Sequence, residues 1–437
     1  MLVFACTVAA EAGRMPITFD KDVVPILQKH CQSCHRPGQA APMSLLTWEA
    51  ARPWARAIRN AVASRRMPPW FADPRYGRFA NDPSLPQADI DTIVNWANEG
   101  ALEGDPRDLP PAVRWPEGGW QIQPDVVVSL PPYRVPAKGI VEWTYVTVPS
   151  GFVKDTWVTS IEILPDDPSV LHHAGVFVKP HDADLKYGEP FWPAGDRFVR
   201  SSGEAFTDDP LAGVSAAVAV YVPGFRAMDY RVHRAAQLIP ANRDLVVQLH
   251  YTPNGKATTE LTRIGFTVAK EPPARRFITY SPQTPAIADR KVFRIPAGDP
   301  NWKSPPVDGV FHVDAELVWF LPHMHLRGKD MTYSLTYPGG KSEIVLSVPK
   351  YDFEWQMGYD AASPIPVTKG TRLHVDAHYD NSANNAANPA PDRDVYGGTQ
   401  TWEEMMVPFF GVVVDAGMDP RKVMTLPGQA GVVGTGH

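Results

Sequence analysis

Two hydrophobic periods divide this chain. Between residues 13 and 104 the apolar positions recur at helical spacing: Val23, Val24, Ile26 and Leu27 after a capping Asp20, a stretch over 48–65, and Ile90, Ile93, Val94 and Ala97 within 87–99. The Pro-rich stretch 105–124 reads as a linker. From Val126 the period shortens. Residues 126–130, 141–148, 158–164 and 175–178 are short β-branched runs separated by Pro, Gly and Asp, as in antiparallel sandwiches. The pattern continues to about Asp415, and a Pro-rich stretch at 282–306 divides it near residue 290. The expected architecture is multidomain: an all-α domain over 13–104, the linker 105–124, two antiparallel β-sandwiches over 125–290 and 291–415, and a tail, 416–437, with little core potential that reads as disordered.

Composition changes this picture little. The chain has 437 residues, 44% hydrophobic and 21% charged, as in a soluble globular protein. Its 46 prolines are about twice the usual share, which favours loops, turns and sheet edges. A net charge of -6 with no basic block gives no reason to expect nucleic acid. Residues 1–12 are apolar and end Ala10-Glu11-Ala12, a small-x-small pattern that reads as the remnant of a secretion signal. This predicts a periplasmic or secreted protein, with Cys6 as an alternative lipid-attachment site. No other apolar run nears the ~20 residues that span a bilayer.

Candidate chemistry begins at Cys31-Gln32-Ser33-Cys34-His35. C-x-x-C-H is the attachment signature of c-type haem, with both thiols as thioethers and His35 on the iron. A redox C-x-x-C or half a zinc site is the competing reading; the adjoining His and the absence of other cysteines beyond Cys6 favour haem. A sixth ligand is sought in a methionine. Met67, in Arg66-Met67-Pro68-Pro69-Trp70 after a helix, is preferred over Met43. This segment resembles a class I cytochrome c domain, in which two terminal helices cross with a Met loop between them.

The β region carries ten histidines besides His437 and no cysteine. A metal there needs His, Met or carboxylate, and thioether points to copper. His323 and His325 stand two apart at the end of an apolar run, so both can face one ion. His172 and His173 are adjacent, and a bulge is needed to turn both toward one ion. His250 ends a third strand in Leu249-His250-Tyr251. Met405 sits in Glu403-Glu404-Met405-Met406, where Met406 alternates away and reads as core. His374, His378 and His312 read as surface or supporting residues, Tyr379 as core, and His30, His181 and His233 as surface.

In order, a His-His pair, a strand ending His-Tyr, His-x-His followed by Gly328-Lys329, and Gly397-Gly398-Thr399 leading to Glu404-Met405 resemble the copper type II monooxygenases, the peptidylglycine α-hydroxylating and dopamine β-monooxygenase family. The resemblance covers roughly 125–415, in blocks. It implies an electron-transfer copper on His172, His173 and His250, and an oxygen-binding copper on His323, His325 and Met405. It implies two jelly-roll-like sandwiches facing a solvent cleft, and hydroxylation of a C–H bond of a small-molecule or peptide substrate by O2. The animal enzymes are disulfide-rich and take electrons from ascorbate; this β region has no cysteine, and the fused haem motif suggests delivery from an external donor through haem. The alternatives are a copper and haem oxidase that hydroxylates nothing, and a non-enzymatic electron carrier or copper-binding protein.

Overall fold

The computed structural model describes residues 15–426, apart from 142, 182–185, 191–216, 225–226, 283–288 and 399. The expected signal with Cys6, and the tail from 427, lie outside the described residues. The chain divides into two compact units: Met1–Pro69 with Pro83–Arg114, and Trp70–Asp82 with Trp115–His437.

The first unit carries helices Val24–His30, Trp48–Ala51, Ala55–Ala63 and Gln87–Asn98. Their buried stripes, Val24 and Leu27, Ile58 and Val62, and Ile90, Ile93 and Trp96, meet around Phe19 in one small core. Thr47 caps its helix by accepting the Ala50 N–H at 3.3 Å. The Trp96 indole N–H donates to the Leu102 carbonyl at 2.9 Å, tying the chain after the last helix back onto it.

The fold class expected from the sequence needs correction here. The chain is mostly β, 36% strand and 14% helix, and the described residues form no all-α cytochrome c domain. The helices span only 7, 4, 9 and 12 residues. Proline explains much of this, since a helix interior loses an N–H and gains a clash at each one. Pro37, Pro42, Pro53, Pro68, Pro69, Pro74, Pro83 and Pro86 interrupt the stretch that the periodicity assigned to helix. Part of the stretch also belongs elsewhere. Trp70–Asp82 is built into the β unit, where Trp70 and Phe79 lie 4.8 and 5.5 Å from the Tyr359 ring. Three of its four aromatic residues, Trp70, Phe71 and Phe79, find a sheet to cover rather than a helical core.

The β unit contains four principal sheets. Strands Thr144–Pro149, Arg243–Tyr251, Leu171–Pro180 and Ala217–Tyr221 form the first, in that order. It shares a core with the sheet of Val126–Ser129, Arg263–Val268 and Thr156–Leu164. A third sheet orders Arg275–Tyr280, Val407–Asp415, Ala315–His323 and Tyr359–Val367. Its partner is built on Ser342–Val348, Gly328–Thr336, Arg372–Tyr379 and Val307–Phe311. The alternation on Arg372–Tyr379 is strict: Leu373, Val375, Ala377 and Tyr379 point inward, while His374, Asp376 and His378 form ion pairs on the outer face.

The third sheet is buried on both faces. Leu317, Phe320, Val412 and Val414 enter the C-terminal core, whereas Val318, Trp319, Leu321 and Val413 enter the N-terminal one. This explains why 317–321 and 407–414 read as unbroken apolar runs. The two sandwiches therefore stack directly. Strand Arg275–Tyr280, placed in the first sandwich by the division at residue 290, pairs with Val407–Asp415 along its whole length. The tail also gives more than expected: Val423, Met424 and Leu426 are buried, and Met424–Thr425 pairs with Val307–Phe311.

Candidate metal centre

His173 and His250 are direct cross-strand partners in the first sheet, a placement that brings side chains within about 5 Å. Between Leu171 and His173 the register shifts. This is the bulge that two adjacent histidines require, and it turns His172 to the same side. The result is a convergence of three ring nitrogens. His173 Nδ1 lies 3.1 Å from His172 Nδ1 and 3.4 Å from His250 Nδ1. A metal ~2.0–2.1 Å from each imidazole nitrogen holds neighbouring ligand atoms roughly 2.8–3.5 Å apart. The three side chains are thus spaced as ligands of one ion, their ligand atoms all within 4.8 Å of one another.

The second pair is built differently. Strand Ala315–His323 ends at His323, and the chain turns through Met324 to His325. Each ring gives its Nδ1–H to an acceptor. His323 donates to Gln356 Oε1 at 2.6 Å and His325 to the Glu403 carbonyl at 3.1 Å. Such bonds fix the tautomer and leave Nε2 as the lone-pair donor, as metal-binding histidines require. His325 Nε2 is buried without a hydrogen-bond partner. An orphaned imidazole nitrogen in a dry interior fits an ion better than it fits a packed core.

The electrostatics agree. Burial, reinforced by neighbouring imidazoles, holds His173 and His325 well below the ordinary histidine range. Burial pushes His250 down to about 3 and His323 to about 4. All four are neutral at pH 7, the form that binds metal.

Beneath the second pair lies Glu404, fully buried. Its carboxylate accepts the N–H of His325 at 3.0 Å and of Arg327 at 2.7 Å, and burial pushes it up to about 8. Arg327, 1% exposed, donates to Asn381 Oδ1 and to the Trp402 carbonyl. Met405 follows Glu404 directly, is buried, and its carbonyl accepts from Tyr379 OH at 2.9 Å. Met406 enters the C-terminal core, its sulfur 3.0 Å from Ser304 Oγ.

The two histidine groups are neighbours. The Trp143 ring, 1% exposed, lies 4.5 Å from His173, 5.5 Å from His250, 6.2 Å from His323 and 5.5 Å from His325. Phe353 stacks on His172 at 5.2 Å and stands 6.1 Å from both His250 and His325. His173 and His323 are 6.1 Å apart. The resemblance implied a solvent cleft between the groups; here aromatic rings fill the space.

In the helical unit, Cys31 and Cys34 are half-buried free thiols at the end of Val24–His30. Burial pushes the Cys31 thiol up to about 12 and raises Cys34 as well. A redox C-x-x-C needs the opposite shift. His35 Nδ1 lies 3.3 Å from the Met43 carbonyl, which leaves Nε2 as its lone-pair donor, and burial lowers its pKa. Cys31, Cys34 and His35 are the residues that would hold a covalently attached haem. Met43 packs its side chain against the helical core, and Met67 is half-buried just beyond Ala55–Ala63.

The remaining histidines are accounted for elsewhere. His374 pairs with Asp308 and Asp376, His378 with Asp330, and His181 with Asp244; His312 lies 2.6 Å from Thr425 Oγ1. Sequence reasoning missed Trp143, Glu404 as a support, and above all the loop Tyr351, Phe353, Glu354 and Gln356. Its one sequence signal is a knot of aromatic and polar residues with neither helical nor strand period.

No family model matches the chain, and no curated protein matches it. Among solved structures, the infectious bursal disease virus Gx strain matches at 9% identity over 73% of this chain and 79% of that one, with a TM-score of 0.18. The VP2 subviral particle of that virus matches at 10% identity over 70% and 76%, TM-score 0.16. The tandem CBM22 domains of Paenibacillus barcinonensis Xyn10C match at 9% over 63% and 78%, TM-score 0.14. Superpositions this loose carry no argument. No helix among the described residues is long and apolar enough to cross a membrane.

Proposed function

We propose that this protein is a copper-dependent monooxygenase of the periplasm or cell exterior. It hydroxylates a C–H bond of a small-molecule or peptide substrate with O2, and an external donor supplies electrons through a c-type haem. The observation that carries the reading is the convergence of three Nδ1 atoms from His172, His173 and His250 at 3.1 and 3.4 Å. They hold one copper. His323 and His325, with Met405, hold the second through Nε2 and sulfur. Bound copper supplies one-electron chemistry and O2 activation that amino-acid side chains lack.

The chain's own residues set the conditions. Burial keeps protons off His173, His250, His323 and His325 at neutral pH. Gln356 and the Glu403 carbonyl orient the second pair; Glu404 and Arg327 fix the turn that carries it. Trp143 and Phe353 keep bulk water from the rings. In the helical unit, Cys31 and Cys34 form the thioethers and His35, steadied by the Met43 carbonyl, faces the iron.

The test is metal and haem content of full-length protein matured with copper and haem attachment supplied. Two copper and one haem iron per chain are expected, and Met405→Ala is expected to keep the haem and the first copper while losing O2-dependent turnover. Haem without copper refutes the copper assignment. O2 uptake without oxygenated product points to an oxidase, and haem that O2 does not reoxidise points to an electron carrier.

A further inference from the structure

One loop serves both histidine groups. Tyr351 roots it against the second group: its hydroxyl accepts the Met324 N–H at 3.1 Å and donates to the Met324 carbonyl at 2.7 Å, clamping the residue between the two ligands. Gln356 holds His323 Nδ1 at 2.6 Å, and its own Nε2 donates to the Phe353 carbonyl at 3.2 Å. The same few residues reach the first group. Phe353 stacks on His172, and Glu354 Oε2 lies 3.2 Å from His172 Nε2. That nitrogen is on the far side of the ring from the three converging Nδ1 atoms. The approach is close but not aligned as a hydrogen bond; a carboxylate at this distance favours the proton on Nε2 and leaves Nδ1 for the metal.

We propose that the loop from Tyr351 to Gln356 is a clasp common to the two groups, so that filling one with metal raises the affinity of the other. This rests on the metal reading above. Metal on His172 Nδ1 makes its Nε2–H a stronger donor toward Glu354, which fixes the loop. A fixed loop holds Gln356 against His323 and Tyr351 against Met324, so the second pair is already ordered when its ion arrives. By linkage the effect is equal in the reverse direction. Glu354 and Gln356 are positioning residues.

The experiment is a chelator-competition titration of the apo full-length chain with Cu(II), the two sites resolved by electron paramagnetic resonance. The proteins are wild type, Glu354→Ala, Gln356→Ala and the double variant, with Glu354→Gln and Gln356→Asn as conservative controls. Loss of such a supporting partner weakens its own site by about 10–100-fold. The clasp further predicts that Glu354→Ala weakens the His323/His325 site several-fold, and that Gln356→Ala weakens the His172/His173/His250 site by the same factor. The conservative variants recover part of each cross effect. Effects confined to the nearer site, with additive losses in the double variant, overturn the clasp and leave two independent metal sites standing. No copper bound by wild type overturns the metal reading and the clasp together. Thermal unfolding of each apo variant distinguishes loss of the clasp from loss of the fold.

Discussion

Acid should destabilise the metal-free protein steeply, and the histidine cluster sets the size. Each buried imidazole has a folded-state pKa below its unfolded value of 6.5. Below pH 6.5 the unfolded chain therefore takes up protons that the folded chain refuses, and stability falls as pH falls. Each pH unit costs about 1.4 kcal/mol per group. His250, pushed down to about 3, and His323, to about 4, both stay neutral to pH 5. Each thus loses about 2 kcal/mol between pH 6.5 and 5. His173 and His325, held well below the ordinary range, add to the loss in the same direction. Glu404 works the other way. Its carboxyl, pushed up to about 8, is protonated in the fold and ionised in the unfolded chain across this window, and returns about 2 kcal/mol. His250 and His323 together lose about 4 kcal/mol against about 2 returned, and with His173 and His325 on the same side the net loss exceeds about 2 kcal/mol, a sizeable share of the stability of many domains. The assay is urea unfolding of apo protein from pH 7.5 to 5, followed by near-ultraviolet circular dichroism. His250→Gln and His323→Gln should each reduce the pH slope by one group's share, and bound copper should move the acid transition to lower pH, because the ion needs the same neutral nitrogens. Stability that is flat or rises as pH falls from 6.5, or slopes unchanged in both variants, would refute the reasoning.

Glu404→Ala strands the N–H groups of His325 and Arg327 in a dry interior; at about 1–3 kcal/mol each, the loss should be roughly 2–6 kcal/mol in urea unfolding, with Glu404→Gln in between. Gly328→Ala places a Cβ 2.7 Å from Met324 Cβ and 2.8 Å from Tyr351 Cδ1. It should cost about 1–3 kcal/mol by overpacking and weaken copper at the second pair, which chelator competition would reveal. After maturation with haem, the intact mass of the wild type should rise by one haem that survives denaturation; Cys31→Ser with Cys34→Ser should lose it, and an unmodified wild-type chain would withdraw the thioether assignment.

Much of the histidine cluster was legible in the sequence, because four of its members sit on strands. The i, i+2 spacing brings the His323 and His325 rings within 5.3 Å although the strand ends at His323, and adjacency of His172 and His173 demands a bulge that the register between Leu171 and His173 supplies. The buried runs at 317–321 and 407–414 were visible as well, though only the stacking of two sandwiches explains why both faces are apolar. The helical stretch misled, since periodicity at Val24–His30 and Gln87–Asn98 is genuine but says nothing of what lies between. Prolines and the aromatic residues of Trp70–Asp82 decide that, and the latter are settled by a sheet whose strands lie more than two hundred residues downstream.

The clasp was illegible for a more general reason. A supporting residue is selected for where one atom ends up, and a loop can deliver that atom without any period. Gln356 is 33 residues from the histidine it orients, and Glu354 meets a histidine on a strand of the other sandwich. Neither position would be singled out by residue type, since glutamate and glutamine are common on surfaces. What distinguishes them is that neighbouring positions of one short loop reach histidines of different groups. That arrangement makes the geometry of one site depend on the other. It follows that the loop should be better ordered with metal in either group than with none. Amide hydrogen exchange can measure this: protection at 351–356 should rise on binding the first equivalent of copper, and a rise only at the second equivalent would separate the loop from the His172/His173/His250 site.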